Sequence, residues 1–239
     1  VMLRTWLVPV LPAICHSGAT IRARRAVPWL PFITASMPAR AVRRLSGLMS
    51  SSGQSGTGAT TPSIAGVPND RLSATAWYAA PETVVVTVPA ELEVQGETVV
   101  AIRGTAIDGV SGGATSAHVQ LIAEHHSKAL VVIDHTGLAE IAQTVEIDVR
   151  DGANLTVVSI QDWDRGTVHG SSHRARLGAD ATLKHIVVSL GGDVVRVTVD
   201  GEFTAPGSSF ESLGLYYADA GQHLEHRLFV DHAVPRCTS

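Results

Sequence analysis

Alternating apolar and polar residues run through much of the second half of the chain. Every second residue is apolar in residues 144–150, and residues 195–200 repeat the alternation. Strict alternation is typical of a β-strand with one face in a core and the other in water. Similar runs follow one another from Thr83 onward, whereas a helical period is hard to find. The pattern therefore predicts an all-β fold.

Turn-forming residues separate these runs at nearly regular intervals. Thr136-Gly137, Asp151-Gly152, Arg165-Gly166 and Gly191-Gly192 are examples, and the spacing of roughly fourteen residues indicates stacked units. Hydrophobic residues make up 45% of the chain but aromatic residues only 5%, which suits the narrow interior of a parallel β-helix. An antiparallel sandwich or barrel with regular hairpins predicts similar spacing. Periodicity alone leaves these two folds open.

Charge is distributed unevenly along the chain, whose formal net charge is −4. No Asp or Glu precedes Asp70, while the arginines before it are Arg4, Arg22, Arg24, Arg25, Arg40, Arg43 and Arg44. The acidic remainder has no basic stripe of the kind that neutralises phosphates, so we expect no nucleic-acid partner. The two cysteines, Cys15 and Cys237, predict no disulfide framework and fit a reducing compartment.

The first 62 residues differ in composition from the rest of the chain. Pro9 and Pro12 interrupt the longest apolar run, which is too short to span a bilayer. Arginine and serine without acidic residues resemble a transit peptide, and Arg4 before an apolar run resembles a secretory signal. We expect instead a disordered or aberrant tract, ending in a Gly/Ser-rich linker at residues 50–61. An irregular β lead-in is then predicted at 63–117 and a β-helix core at 118–239.

Specific residues favour the β-helix. Residues 213–239, LGLYYADAGQHLEHRLFVDHAVPRCTS, resemble a pattern of the SufB/SufD family of iron–sulfur cluster assembly proteins. That pattern has a G-L-Y/F stretch, a Gln-His pair, a Val-x-His element and P-x-C-x-S, and its last element is similar to the SufD branch. Residues 129–135, 162–164 and 190–196 also resemble successive turns of this family in the same order.

The resemblance implies a fold, a role and partners. The family fold is a right-handed parallel β-helix, here partial, and SufD is a non-catalytic scaffold subunit that pairs with SufB and is carried by the ATPase SufC in the cytoplasm. No cofactor would be tightly bound in this chain, whereas the full complex would hold iron or an iron–sulfur cluster transiently. No membrane partner is implied. Because family members continue beyond the position of Ser239, we expect a truncated form that lacks the C-terminal docking surfaces.

Histidine and cysteine near the C-terminus are the candidate metal ligands, because imidazole and thiolate both bind iron and zinc. The candidates are His223, His226, His232 and Cys237. On a strand, His223 and Glu225 share one face while His226 takes the other. One thiol does not supply the four ligands of a typical iron–sulfur cluster. Structural roles are expected for His135, His232 and Cys237, with both histidines bonding a turn carbonyl, and no catalytic residue is predicted.

Two other functions compete with the scaffold. A cupin-like metal-dependent enzyme would use His169, His173 and His185, but their spacing lacks the closely spaced His-x-His and following Glu of such sites. A polysaccharide-binding or cleaving β-helix would use Asp162 and Asp164 as acid and base, yet aromatic residues for sugar stacking are scarce. We expect Trp163, between these two acids, to cover the core while both carboxylates face water.

Overall fold

The computed structural model describes residues 62–104 and 113–239, together with five short strands outside these ranges. The prediction of disorder for residues 1–62 lies outside the described residues, apart from strands β1, β2 and β3. The described elements are, in chain order, β1 (Ala19–Arg25), β2 (Ile33–Thr34), β3 (Met49–Ser52), α1 (Arg71–Ala79), β4 (Thr83–Val88), β5 (Glu93–Gly104), β6 (Ala106–Ile107), β7 (Val110–Ser111), β8 (Ala114–Ala123), β9 (Lys128–Gly137), β10 (Glu140–Val149), β11 (Asn154–Trp163), β12 (Val168–Leu177), β13 (Thr182–Ser189), β14 (Val194–Phe203), β15 (Ser209–Tyr216) and β16 (His223–Asp231).

Two long sheets form the fold. The first sheet has the order β15-β13-β11-β9-β5-β1-β2, and the second has the order β16-β14-β12-β10-β8-β4-β3. From β8 onward, successive strands alternate between the two sheets and pair in parallel with the strand two positions away. At the other end of the sheets, β1 and β3 pair antiparallel with β5 and β4. The prediction of a parallel β-helix is confirmed, with about four turns.

One turn of the β-helix contains two strands. Glu140 lies beside Val168, which lies beside Val194, so a full turn takes about 27 residues, twice the spacing of the turn clusters. Each cluster marks a corner between the sheets. At two of these corners Gly152 and Gly166 adopt φ values of 68° and 88°, a left-handed conformation that glycine reaches without steric cost.

The core lies between the two sheets. Inward side chains alternate with outward ones along each strand, as in β13, where Leu183 and Val187 are buried while Lys184 and Ile186 are partly exposed. Inward residues of successive turns stack in register, so that Val145 lies beside Val119 on β8. Burying each such side chain contributes roughly 1.5–3 kcal/mol. The alternating pattern of the sequence thus becomes one continuous aliphatic core.

Helix α1 covers part of the outer face of the second sheet. Its N-terminus is capped by Asp70, whose carboxylate accepts a 2.6 Å hydrogen bond from the Ser73 backbone N–H, satisfying one of the free donors of the first turn. Leu72 lies over Gly170 on β12, where an added Cβ would come within 2.4 Å of the Leu72 side chain. Among the described residues, no helix has the length and apolar content needed to cross a membrane.

The segment predicted as an irregular β lead-in contains this helix. It also contains β4 and β5, which already pair in parallel with β8 and β9. Regular stacking therefore begins before residue 118, with one irregularity in the register between Glu93 and Glu97. The predicted domain boundaries themselves stay a prediction.

Candidate functional site

A row of polar side chains interrupts the aliphatic core of the β-helix. Its members occupy inward positions on strands of both sheets, and each is almost completely buried: His135, Gln143, Ser159, Gln161, His169, Ser171, His173, His185 and Ser189. Buried polar groups are costly unless they are hydrogen-bonded. The hydrogen-bond partners of these side chains therefore distinguish this interior from a purely aliphatic core.

His135, Gln143 and His169 form one hydrogen-bonded network with the buried indole of Trp163, and Trp163 Nε1 also donates to Gln161 Oε1 at 3.2 Å. His135 Nδ1 lies 2.8 Å from the Ile160 carbonyl oxygen, and His135 Nε2 lies 2.9 Å from Gln143 Oε1. His169 Nε2 is also 2.9 Å from Gln143 Oε1. Trp163 Nε1 donates to His169 Nδ1 at 3.0 Å. The network joins strands of both sheets across the interior.

Two neutral histidines compete at Gln143 Oε1 when the amide has this orientation. The Ile160 carbonyl requires a proton on His135 Nδ1, and the Trp163 N–H requires a lone pair on His169 Nδ1. His169 Nε2 then donates to Gln143 Oε1, but His135 Nε2 has only a lone pair to present to the same oxygen. Reversing the Gln143 amide gives its NH2 group, otherwise without a partner among the described residues, an acceptor at His135 Nε2. Two N–H groups then face each other at Trp163 and His169, but the Trp163 N–H also has Gln161 Oε1 as an acceptor at 3.2 Å.

Burial keeps both histidines of the network neutral at pH 7. Burial lowers the pKa of His135 to about 4, although its hydrogen bonds to Ile160 and Gln143 act in the opposite direction. Burial also lowers the pKa of His169, and the neighbouring His135 lowers it further. At neutral pH the network is therefore uncharged.

A second polar contact inside the β-helix joins two histidines. His173 Nδ1 lies 2.9 Å from His185 Nε2, and the two rings meet edge to face at an angle of 87°. Burial is the main cause that lowers the pKa of each ring, to about 4 for His185. His173 Nε2 and His185 Nδ1 are buried without a hydrogen-bond partner among the described residues.

The structure separates the candidate ligands near the C-terminus. His223 is exposed, and its Nε2 lies 3.5 Å from the Glu225 carboxylate. His226 points inward, with its Nε2 2.8 Å from Ser189 Oγ. The opposite faces expected for His223 and His226 are thus confirmed.

The other two candidates lie in the closing segment. His232 Nε2 is 2.8 Å from Ser239 Oγ. Cys237 is half-buried, packs against the core and directs its Sγ toward the Ala205 carbonyl oxygen at 3.5 Å. In the part of the chain that the structure describes, no group of three or more His, Cys, Asp and Glu side chains could hold a metal ion. Metal binding by the four predicted residues stays a prediction.

Other sequence expectations have clear outcomes. Trp163 is buried while Asp162 and Asp164 are exposed, which confirms that the aromatic covers the core. His135 contacts the Ile160 carbonyl oxygen, which belongs to strand β11 and not to a turn as expected. The interior network itself was not predicted. The sequence feature that indicates this network is the occurrence of polar residues at every second position of β12, namely His169, Ser171 and His173.

A buried carboxylate lies on the outer face of the second sheet. Glu146 accepts hydrogen bonds from His118 Nε2 at 2.9 Å, Gln120 Nε2 at 2.8 Å, the Ala65 N–H at 3.1 Å and the Ser63 hydroxyl. Burial raises the pKa of Glu146, but these hydrogen bonds outweigh it and lower the pKa to about 2. The carboxylate fastens the segment that precedes α1 to the sheet.

The fold and its buried polar interior define a parallel β-helix. Residues 105–239 match the family profile described as SUF system FeS cluster assembly, SufBD core domain. The chain belongs to this family.

Curated relatives agree with this assignment. Iron–sulfur cluster assembly SufBD family proteins of Mycobacterium leprae and Mycobacterium tuberculosis are each 45% identical to the chain over 174 residues, covering 73% of this chain and 43% of the relative. The chain thus spans less than half the length of these relatives. No solved structure matches it.

Proposed function

We propose that the chain acts in iron–sulfur cluster assembly as a non-catalytic scaffold subunit of a SufBCD-type complex. The observation that carries this proposal is the family match over residues 105–239, a region that includes strands β8 to β16 of the β-helix. Stacked turns joined by continuous ladders of hydrogen bonds give a rigid, extended surface, which suits the holding of partners.

The SufD branch of the family is the more specific part of the proposal. Pro235, Cys237 and Ser239 form the P-x-C-x-S element that resembles SufD. A SufB-like subunit and a SufC-like ATPase in the cytoplasm would then be the partners, and iron or an iron–sulfur cluster would be the cargo of the complex. The cupin-like and polysaccharide-binding alternatives gain no support from the family match.

Co-purification tests this proposal. The chain, carrying an affinity tag, is co-expressed with a SufB-like and a SufC-like protein, and a second arm uses the chain extended to the length of its relatives. We expect the extended form to retain both partners in fixed stoichiometry. An unrelated parallel β-helix with the same tag is the control. A SufB-like and SufC-like pair that assembles while excluding both forms of the chain contradicts the proposal.

A further inference from the structure

The histidine pair inside the β-helix differs from the other buried histidines in its contacts. Protein groups fix the proton positions of His135 and His169 through the Ile160 carbonyl and the Trp163 indole. The rings of His173 and His185, by contrast, make their polar contact with each other. Their two remaining nitrogens have no partner among the described residues. No protein acceptor or donor therefore dictates which nitrogen of either ring carries the proton.

The pair lies in a mainly aliphatic layer of the core. His173 on β12 is flanked in register by Val145 and Val199. His185 on β13 is flanked by Val157 and Ser212. Both rings are completely buried, and burial lowers the pKa of each. At neutral pH each ring is uncharged and keeps one lone pair.

We propose that His173 Nδ1 and His185 Nε2 form a binding site for one closed-shell monovalent metal ion, Cu(I). Imidazole nitrogen is a good ligand for copper, and Cu(I) accepts two neutral ligands in a nearly linear arrangement. Zn²⁺ and Fe²⁺ need four or more ligands, and the described residues contain no group of three or more candidate side chains. A single positive charge also costs less to bury than two.

Binding requires no net release of protons. In the neutral pair, one ring donates its N–H to the lone pair of the other across the 2.9 Å contact. To bind the ion, the donating ring moves its proton to its other nitrogen, so that both facing nitrogens present lone pairs. The N–H···N hydrogen bond is lost and two metal–nitrogen bonds form. The facing nitrogens move apart from 2.9 Å to admit the ion.

Buried Val187 separates His185 from Ser189, the next inward polar residue of β13. Ser189 lies on the same strand as His185 and contacts His226 at 2.8 Å. His226 is partly exposed and packs edge to face against the exposed ring of Tyr216. An ion therefore reaches the buried pair through local opening of the last turns of the β-helix.

Metal titration of the full-length chain tests the proposal. Cys15 and Cys237 are first replaced by serine, because thiolates would bind the same ions. The protein is titrated with Cu(I) under a thiol-free reductant and, separately, with Ag(I) as a redox-inert probe. We expect one ion per chain, with X-ray absorption showing nitrogen ligands only. Zn²⁺ should bind at least tenfold more weakly.

Three variants locate the ion. His185→Leu should weaken Ag(I) binding at least tenfold, whereas His185→Met, which supplies a thioether, should retain one ion with one sulfur ligand. His223→Leu, at an exposed histidine, is the matched control and should bind as the parent does. Circular dichroism establishes that each variant is folded.

The proposal is overturned if the cysteine-free chain binds no Ag(I), or if His185→Leu binds as tightly as the parent. It is equally overturned if folded His185→Met binds the ion without a sulfur ligand, an outcome that decides the matter even where His185→Leu does not fold. Loss of binding in His223→Leu would place the ion at the surface and contradict the proposal. These measurements use the isolated chain, so their outcome is independent of the proposed scaffold role.

Discussion

His118 Nε2 lies 2.9 Å from the Glu146 carboxylate, and both side chains are almost completely buried on the outer face of the second sheet. The other ring nitrogen of His118 lies 3.0 Å from Thr83 Oγ1. This line of contacts joins β4, β8 and β10, while Glu146 also holds the backbone of Ala65. The segment before α1 is thus fastened to the β-helix through one carboxylate.

Glu146→Ala should lower the free energy of unfolding by about 3 kcal/mol, because removal of one partner leaves the other buried donors unpaired. Urea denaturation followed by circular dichroism measures the change. Glu140→Ala, at an exposed position of the same strand, should change stability by less than about 0.5 kcal/mol. Equal effects of the two substitutions would show that the buried contacts of Glu146 contribute nothing.

Acid should destabilise the fold through its buried histidines. The pKa values of His135 and His185 fall from 6.5 to about 4 in the folded chain, so the unfolded chain binds protons first as the pH falls. Stability contributed by these groups is complete above pH 6.5 and is lost between pH 6.5 and 4, by up to roughly 3 kcal/mol for each histidine.

The pH dependence of stability that arises from the buried histidines can be separated from the part that arises from the Glu146 carboxylate. Glu146, with its pKa lowered from 4.5 to about 2, loses its contribution only below pH 4.5. Urea denaturation at pH 7.0, 6.0 and 5.0 should therefore report the histidines. His185→Leu should reduce the slope over this range, while His223→Leu should not. A free energy of unfolding that stays constant from pH 7.0 to 5.0 would contradict the burial of neutral histidines.

The interior network predicts the tautomer of two histidines. At pH 7, His135 should carry its proton on Nδ1 and His169 on Nε2, because of the Ile160 carbonyl and the Trp163 indole N–H. Nitrogen-15 NMR of the imidazole rings distinguishes these forms. Trp163→Phe removes the donor and should let His169 move its proton to Nδ1. The opposite tautomers in the parent chain would show that these contacts do not control the rings.

Close packing of α1 on the second sheet predicts the effect of one added methyl group. Gly170→Ala would place a Cβ within 2.4 Å of the Leu72 side chain, and overpacking of this kind costs about 1–3 kcal/mol. Limited proteolysis should then cut more rapidly within residues 62–80. Thr156→Ala, on the outer face of the first sheet, is the control and should leave the cleavage rate unchanged.

Much of the fold could be predicted from the sequence because a β-helix repeats the same local pattern. Alternation in residues 144–150 marks the inward face of β10, and glycines such as Gly152 mark the corners. The observed period of turn clusters corresponds to half a turn. Helix α1 was missed because nine residues are too few for a clear helical period, although Asp70 followed by Ser73 is a capping signal.

The interior histidines could be predicted only in part. Alternation places His169 and His173 on one face of β12, but it does not show that His185 faces His173 across the core. That contact depends on how the strands alternate between the two sheets. Likewise, the hydrogen-bond partners of Glu146 lie on β8 and in the segment before α1. These residues come together only through the register of the stacked turns, which the sequence alone does not show.

Reconstitution of cluster assembly tests the central claim most directly. The chain in its extended form, a SufB-like subunit and a SufC-like ATPase are combined with iron, a sulfide source and ATP, and cluster formation is followed by absorbance and iron content. We predict that cluster yield depends on the chain, although the chain alone neither hydrolyses ATP nor builds a cluster. ATP hydrolysis or cluster formation by the chain alone, or an undiminished yield in its absence, would contradict the scaffold role.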